Sequence, residues 1–262
     1  MGAMQVDLKG KNILITGTTS GLGRHFALTL AAAGARLAVT GRRVDRLKDL
    51  CAEIAAQGGH ALSLALDVTD PQSIRQTVER CEKELGPIDV LINNSGVNGA
   101  GRAIDITPEA YDELFNTNLR GAYFMSTEVA KRMMARHKAD PSVSGKIINI
   151  ASAAAHVLLP GLSLYNMSKA GMVMMTKALA REWARQGVSV NAINPGYIET
   201  ELNSEWFHSE KGKAQIAGFL RRRLNQASDL DGALLLLCSD ASAIMTGSIV
   251  DVDDGQSLLA LG

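Results

Sequence analysis

Seven short, almost unbroken apolar runs rich in β-branched residues punctuate the chain, at 12–16, 36–40, 61–66, 89–92, 146–150, 189–193 and 248–252. A run that is apolar at nearly every position, rather than at every second one, suits a strand covered on both faces. Between the runs, apolar residues return at helical spacing: Leu22, Phe26 and Leu30, then Leu47, Leu50 and Ile54, then Ile74, Val78, Cys81 and Leu85. These segments stop at Gly34, at Gly58-Gly59 and at Gly86-Pro87. Strands and helices alternating through short connections predict right-handed βαβ units. The expected architecture is a Rossmann-type, doubly wound α/β fold around a seven-stranded parallel sheet.

No proline- or serine-rich linker, charge block or solenoid repeat divides the 262 residues, so residues 1–262 are expected to form one domain. One segment, 200–223, breaks the rhythm. It is longer than the other connections and follows the carboxyl end of a strand, where such sheets place ligands. It reads as a helical lid insertion over a site, with a plain surface helix pair as the alternative.

Composition removes several function classes. With 46% hydrophobic and 21% charged residues the chain can build a large core. Its 27 basic residues balance 27 acidic ones, which leaves no basic surface for nucleic acid or anionic lipid. The longest apolar runs, such as 232–238, are too short to span a bilayer, and no secretory leader pattern is visible. Cys51, Cys81 and Cys238 are scattered through apolar-periodic stretches, as buried free thiols of a cytoplasmic protein would be. His25, His60, His137, His156 and His208 lack metal-ligand spacing, so no metal is expected.

The first strand runs straight into a glycine-rich turn and then a helix, the context a dinucleotide site requires. In Gly17-Thr18-Thr19-Ser20-Gly21-Leu22-Gly23, Gly17 permits a sharp turn, Gly21 a close approach of backbone to pyrophosphate, and Gly23 tight helix–strand packing. Free amides at the helix start bind the anion. At the end of the second strand an NAD site usually carries an acid, whereas this chain has Arg42-Arg43. A guanidinium can hold a 2′-phosphate, so NADP(H) is favoured, through Arg42 first and Arg43 second, with NAD(H) the alternative. The same two arginines would also serve simple solvation.

Tyr165 and Lys169 stand one helical turn apart, on one face of the helix after the fifth strand. A phenol with a pKa near 10 needs about 4 kcal/mol in favour of its phenolate to work near pH 7. A nearby ammonium and an oxidised nicotinamide could supply it. Ser152 ends the preceding strand, and Asn118 lies in a helix after the fourth. No Gly-x-Ser-x-Gly elbow occurs, which counts against a serine hydrolase.

Together these residues resemble the short-chain dehydrogenase/reductase family along nearly the whole chain. The turn at 16–23 matches its cofactor motif, and Asp67-Val68 its adenine-contacting strand end. Asn93-Asn94-Ser95-Gly96 resembles its N-N-A-G, and Asn118, Ser152, Tyr165 and Lys169 stand at its catalytic positions. Asn194-Pro195-Gly196, with Ile198 and Thr200, is similar to its nicotinamide-holding segment. The resemblance implies that Tyr165 exchanges a proton with the substrate oxygen and that Ser152 hydrogen-bonds that oxygen. It implies further that Lys169 lowers the phenol pKa and binds the nicotinamide ribose, that Asn118 supports a water chain, and that Ile198 and Thr200 anchor the carboxamide. It also implies a homotetramer or homodimer.

The implied activity is NADP(H)-dependent interconversion of a secondary alcohol and a ketone. A 3-oxoacyl thioester reductase, a sugar or polyol dehydrogenase, and a non-catalytic NADP(H)-binding regulatory protein are the alternatives. Among the departures from the family pattern, Ser95 replaces an alanine, and Asp254 stands in Asp253-Asp254-Gly255 where Asp-Gly-Gly is usual. An aspartate takes up a positive φ less cheaply than glycine.

Overall fold

The computed structural model describes residues 6–199 and 203–258. Its strands are β1 (Asn12–Ile15), β2 (Arg36–Gly41), β3 (His60–Ala65), β4 (Val90–Asn93), β5 (Gly145–Ile150), β6 (Val188–Pro195) and β7 (Ile249–Val252). The expected strand limits agree with these to within two residues. All pairings are parallel, in the order β3-β2-β1-β4-β5-β6-β7.

The helices explain why the runs are apolar throughout. On one face of the sheet lie α1 (Gly21–Ala32), α2 (Val44–Ala56) and, late in the chain, α9 (Asp231–Cys238). There Ile13, Ile15, Leu37 and Val39 pack with Phe26, Leu30, Leu50, Ile54 and Leu234. On the other face lie α3 (Pro71–Glu84), α5 (Ala122–Ala139) and α6 (Ser163–Trp183), where Leu14, Ala38, Leu91 and Ile147 meet Val78, Val129, Met133 and Met172. Ile13, Leu14 and Ile15 thus alternate between two cores, and both destinations are dry. Each such leucine or isoleucine contributes roughly 2 kcal/mol of burial.

Polar groups are bolted into the second core. Asn93 Nδ2 donates to Ser126 Oγ (2.8 Å) and to Asn149 Oδ1 (2.9 Å), and Asn149 Nδ2 donates to Thr176 Oγ1 (2.8 Å). The network joins the ends of β4 and β5 to α5 and α6, the elements that carry the candidate site.

The segment after β4 is not one helix. It begins as α4 (Pro108–Phe115), opens into a π-helical turn (Asn116–Gly121), and continues as α5. The segment expected as a lid is described from residue 203 onward and holds two short helices, α7 (Ser204–His208) and α8 (Glu210–Gly218). Two non-glycine residues among those described have a left-handed backbone, Arg222 (φ 50°) and Asp254 (φ 55°). Such a conformation costs an L-residue about 1–2 kcal/mol.

Candidate active site

In an all-parallel sheet the carboxyl ends of the strands collect at one edge, and here the strand order reverses between β1 and β4. That is where such sheets open a crevice. The turn after β1 lies at this point. Gly17 (φ 72°) turns the chain, and a Cβ on Gly23 would stand 2.2 Å from the Gly17 carbonyl oxygen. The Ser20 side chain makes no capping bond to α1, and the first turn of α1 holds no acidic residue. Its amides and the positive end of its dipole therefore fit a pyrophosphate.

The next loop is stitched to this turn. Thr16 Oγ1 accepts from the Asn94 and Ser95 amides (3.0 and 2.9 Å), and Asn94 Nδ2 donates to the Thr16 and Gly17 carbonyls (3.0 Å each). Gly96 lies beyond them, with its ideal Cβ position 3.8 Å from Lys169 Nζ.

After β2 the two arginines part. Arg43 reaches back over the turn and donates to Thr19 Oγ1 (3.2 and 2.6 Å) and to Ser20 Oγ (3.0 Å). Arg42 is exposed and stands toward Asp67. Against the upward push of burial, hydrogen bonds from Thr69 and the charge of Arg42 hold the Asp67 carboxyl below its ordinary range. Val68 packs under the π-helical turn, where a Cβ on Gly121 would stand 2.8 Å from the Val68 carbonyl oxygen.

Three elements bring the four expected catalytic residues together. Ser152 leaves β5 in extended backbone and starts a short 3₁₀ turn (Ala153–Ala155), its Oγ accepting from the Ala154 amide at 3.1 Å. The Ser152 hydroxyl lies near enough to the Tyr165 phenol to lower its pKa. One turn along α6, Lys169 is 5% exposed; its Nζ lies 5.6 Å from the centroid of the Tyr165 ring and donates to the Ile150 carbonyl at 2.9 Å. An ammonium has three donors, and with this one hydrogen-bond partner among the described residues it suits the ribose hydroxyls of a nicotinamide nucleotide as further acceptors. Asn118, fully buried in the π-helical turn, accepts from the Val97 amide (2.8 Å) and donates to the Val97 carbonyl (2.9 Å) and Ser168 Oγ (3.3 Å).

The expected lowering of the Tyr165 phenol calls on both Lys169 and an oxidised nicotinamide, and the protein alone supplies only part of that setting. Burial pushes the Tyr165 phenol up, and the Ser152 hydrogen bond pulls it only partly back. Burial also depresses Lys169, to about 8. The protein alone therefore holds a neutral phenol beside a readily deprotonated amine.

At the end of β6, Gly196 donates to the Val252 carbonyl (3.1 Å) beyond Pro195, and Ile198 is buried. Thr200, expected to share this role, lies outside the described residues. His156 Nε2 sits 3.0 Å from Asn194 Nδ2, which also donates to Asp251 Oδ1 at 2.7 Å. The imidazole must accept from that amide, so its own proton is assigned to Nδ1.

Leu158 and Leu159 line a cleft of about 450 Å³ with Gly101, Pro160, Asn166 and Met167. Asn166 and Met167 are turned around α6 from Tyr165 and Lys169. Phe207 is buried near Tyr197, their ring centroids 6.1 Å apart.

Two residues that hold the site carry no signal in the pattern. Asn166 donates to the Ala154 and Val157 carbonyls (2.6 and 2.7 Å) and accepts from the Leu159 amide (3.2 Å), fixing the loop after Ser152. Tyr197 stacks on Phe219 with centroids 5.0 Å apart, so the lid rests on the segment that follows β6. A polar side chain next to Tyr165 and an aromatic after Pro195-Gly196 were the only available hints.

Residues 11–211 match the family model described as short chain dehydrogenase. The gluconate 5-dehydrogenase of Gluconobacter oxydans is 32% identical over 253 residues, covering 95% of this chain and 95% of its own. The 3-oxoacyl-(acyl-carrier-protein) reductase of Escherichia coli is 31% identical over 258 residues, covering 97% of this chain and 100% of its own. Among solved structures, a gluconate 5-dehydrogenase from Burkholderia cenocepacia in complex with NADP and tartrate matches with a TM-score of 0.91 at 30% identity, over 98% of each chain.

Proposed function

The chain belongs to the short-chain dehydrogenase family and is an NAD(P)-dependent oxidoreductase, and on that premise we propose that it interconverts a secondary alcohol and a ketone with NADP(H), using Tyr165 as the acid–base group. The observation that carries this reading is the grouping of Ser152 at the end of β5 with Tyr165 and, one turn along α6, buried Lys169, whose Nζ lies 5.6 Å from the Tyr165 ring centroid. It shares a strand edge with an uncapped helix start suited to pyrophosphate. When bound, the cofactor supplies or takes the hydride, and its oxidised ring adds the positive charge that stabilises a phenolate.

The chain's own residues do the rest. Gly17, Thr19, Ser20, Gly21, Leu22 and Gly23 present the pyrophosphate turn. Arg42 meets a 2′-phosphate, with Arg43 as second donor, and Asp67 and Val68 flank the adenine. Asn94, Ser95 and Gly96 form the floor, Lys169 binds the ribose, and Pro195, Gly196, Ile198 and Thr200 border the nicotinamide. In reduction, neutral Tyr165 donates its proton to the carbonyl oxygen while Ser152 hydrogen-bonds the same oxygen and holds it in place. Lys169, lowered by burial to about 8, can return a proton to the phenolate, and Asn118 keeps the adjoining turn in place for water to refill it. The neutral phenol is the form that donates in reduction and the phenolate the form that accepts in oxidation, so rising pH disfavours reduction and favours oxidation.

The segment 200–223 acts as the substrate lid within a single domain. The protein works in the cytoplasm as a homotetramer assembled through α5 and α6, a reading supported by the exposed Tyr123, Phe124, Met167 and Met174. Its relatives suggest two substrate classes, an oxo sugar acid and a 3-oxoacyl thioester. The test is NADPH consumption with both, together with simple ketones, by the wild type and by Tyr165→Phe. One substrate should turn over, and the phenylalanine variant should lose about a thousandfold in kcat while its NADPH Kd stays within about twofold. Cofactor binding without turnover of any carbonyl would favour the non-catalytic reading, and an active Tyr165→Phe enzyme would refute the acid–base assignment.

A further inference from the structure

The two non-glycine residues with left-handed backbone, Arg222 and Asp254, lie 32 positions apart in sequence, yet they belong to one cluster. The neighbours of Arg222 grip Asp254 from both sides, with Arg221 Nε 3.1 Å from its Oδ1 and Arg223 Nε 2.8 Å from its Oδ2. Both arginine side chains are more than half exposed, whereas that of Asp254 is 13% exposed. Ion pairs of this kind add little net stability, and the two strained backbones offset what they add. A strained backbone that brings no evident stability calls for another role.

The neighbours of this cluster supply one. Two residues beyond Asp254, Gln256 Oε1 accepts from the Tyr197 amide (2.7 Å), while Gln256 Nε2 donates to the Arg223 carbonyl (3.3 Å) and Asn225 Oδ1 (3.4 Å). From the other arm, the Asn225 amide donates to the Tyr197 carbonyl (2.9 Å) and Asn225 Nδ2 to the Val252 carbonyl (3.2 Å). Gly196 has no room for a Cβ, which would lie 2.3 Å from Gln256 Oε1 and 2.8 Å from Asp253 Cα. Both backbone groups of Tyr197 are therefore held by the two arms that Asp254 joins. Gln256 and Asn225 are each 4% exposed, so a partner lost at either side chain is costly.

We propose that Asp254 is a positioning residue, clasped by Arg221 and Arg223, that locks the base of the lid to the carboxyl-terminal turn and so holds Gly196–Ile198 in register for the nicotinamide. The proposal rests on the nicotinamide-facing role given to that segment above. Asp254 touches neither substrate nor cofactor and acts through Gln256, Asn225 and Tyr197.

The test uses the full chain and compares the wild type with Asp254→Asn, Asp254→Gly, Arg223→Gln and the Asp254→Asn/Arg223→Gln double variant. NADPH Kd is read by fluorescence and kcat and KM by turnover. Each single variant should weaken NADPH about tenfold and change kcat less than about threefold. The double variant should be no weaker than the worse single one, because both remove the same clasp. Asp254→Gly, which relieves the left-handed strain, should melt no lower than the wild type while binding NADPH about tenfold more weakly. A purely structural role cannot produce that separation. Wild-type NADPH affinity in the Asp254 variants would overturn the proposal, as would additive losses in the double variant or a fall in Tm at constant Kd. If the wild type turns over no carbonyl, the proposed activity fails, while the Kd comparison still decides the role of Asp254.

Discussion

The nucleotide-binding edge and the region after β6 solve one problem with different materials. Around β1, β2 and β4, positive φ is given to glycine, as at Gly17 and Gly21, and at Gly17 and Gly23 backbone meets backbone with no space between. After β6, short helices carry sparse apolar residues, and positive φ falls on Arg222 and Asp254 held by ion pairs. The first region is rigid because nothing larger than hydrogen fits at Gly17 and Gly23. The second is held by interactions that can be made and broken. A dinucleotide presents the same pyrophosphate every time, and a close-packed cradle suits it; a lid that must admit and release substrate needs reversible ties.

The contrast would break most visibly at Gly23→Ala. The new methyl would meet the Gly17 carbonyl, and the turn and α1 would have to separate. NADPH affinity should fall more than about a hundredfold, read by fluorescence titration, well beyond the effect expected from removing the Asp254 clasp. Retained binding would show that the cradle yields as the lid does.

Lys169→Met sharpens the comparison through stability. A buried lysine whose pKa falls to about 8 from 10.5 is less protonated in the folded than in the unfolded chain. Its ammonium therefore destabilises the fold at neutral pH by about 3 kcal/mol, order of magnitude. The unfolded chain binds more protons between those two values, so wild-type stability rises with pH from about 8 to 10.5 and the penalty fades. Denaturant melts should show the methionine variant more stable at pH 7, with the gap narrowing as pH climbs, even as NADPH binding weakens. A less stable variant at pH 7 would show that the nucleotide edge does not trade stability for function.

A smaller effect is expected at the exposed rim. Arg42→Ala should weaken NADPH about tenfold more than NADH, by direct titration. Arg43, already engaged with Thr19 and Ser20, should discriminate less. Equal losses of both cofactors from Arg42→Ala would place the 2′-phosphate elsewhere.

The same division governs what could be read from the chain alone. Strands apolar on both faces, such as 12–15 and 146–150, stand out through their short β-branched runs between helical segments, and the glycine turn follows the first at a fixed position. The lid was visible only as a lapse in rhythm, because α7 and α8 bury few residues, Phe207 and Gly212 among them. The break of the helix at 116–121 was invisible, since a wider turn changes hydrogen bonding without changing composition. The Asp254 substitution was evident, but not its partners, because ion pairs across 31 and 33 positions leave no periodic trace. The upward push on Tyr165 also escaped, because it comes from burial, which emerges only when the chain is folded.

The grip of Asn118 on Val97 makes this side chain a surrogate for main chain. Its amide gives one proton and accepts another, as a neighbouring strand would, and neither an acid, which lacks the donor, nor an aliphatic group can stand in. Loss of activity in an Asn118 variant is thus first a symptom of an unmoored loop. Amide exchange at Val97, measured beside turnover, would separate that failure from an interrupted proton relay.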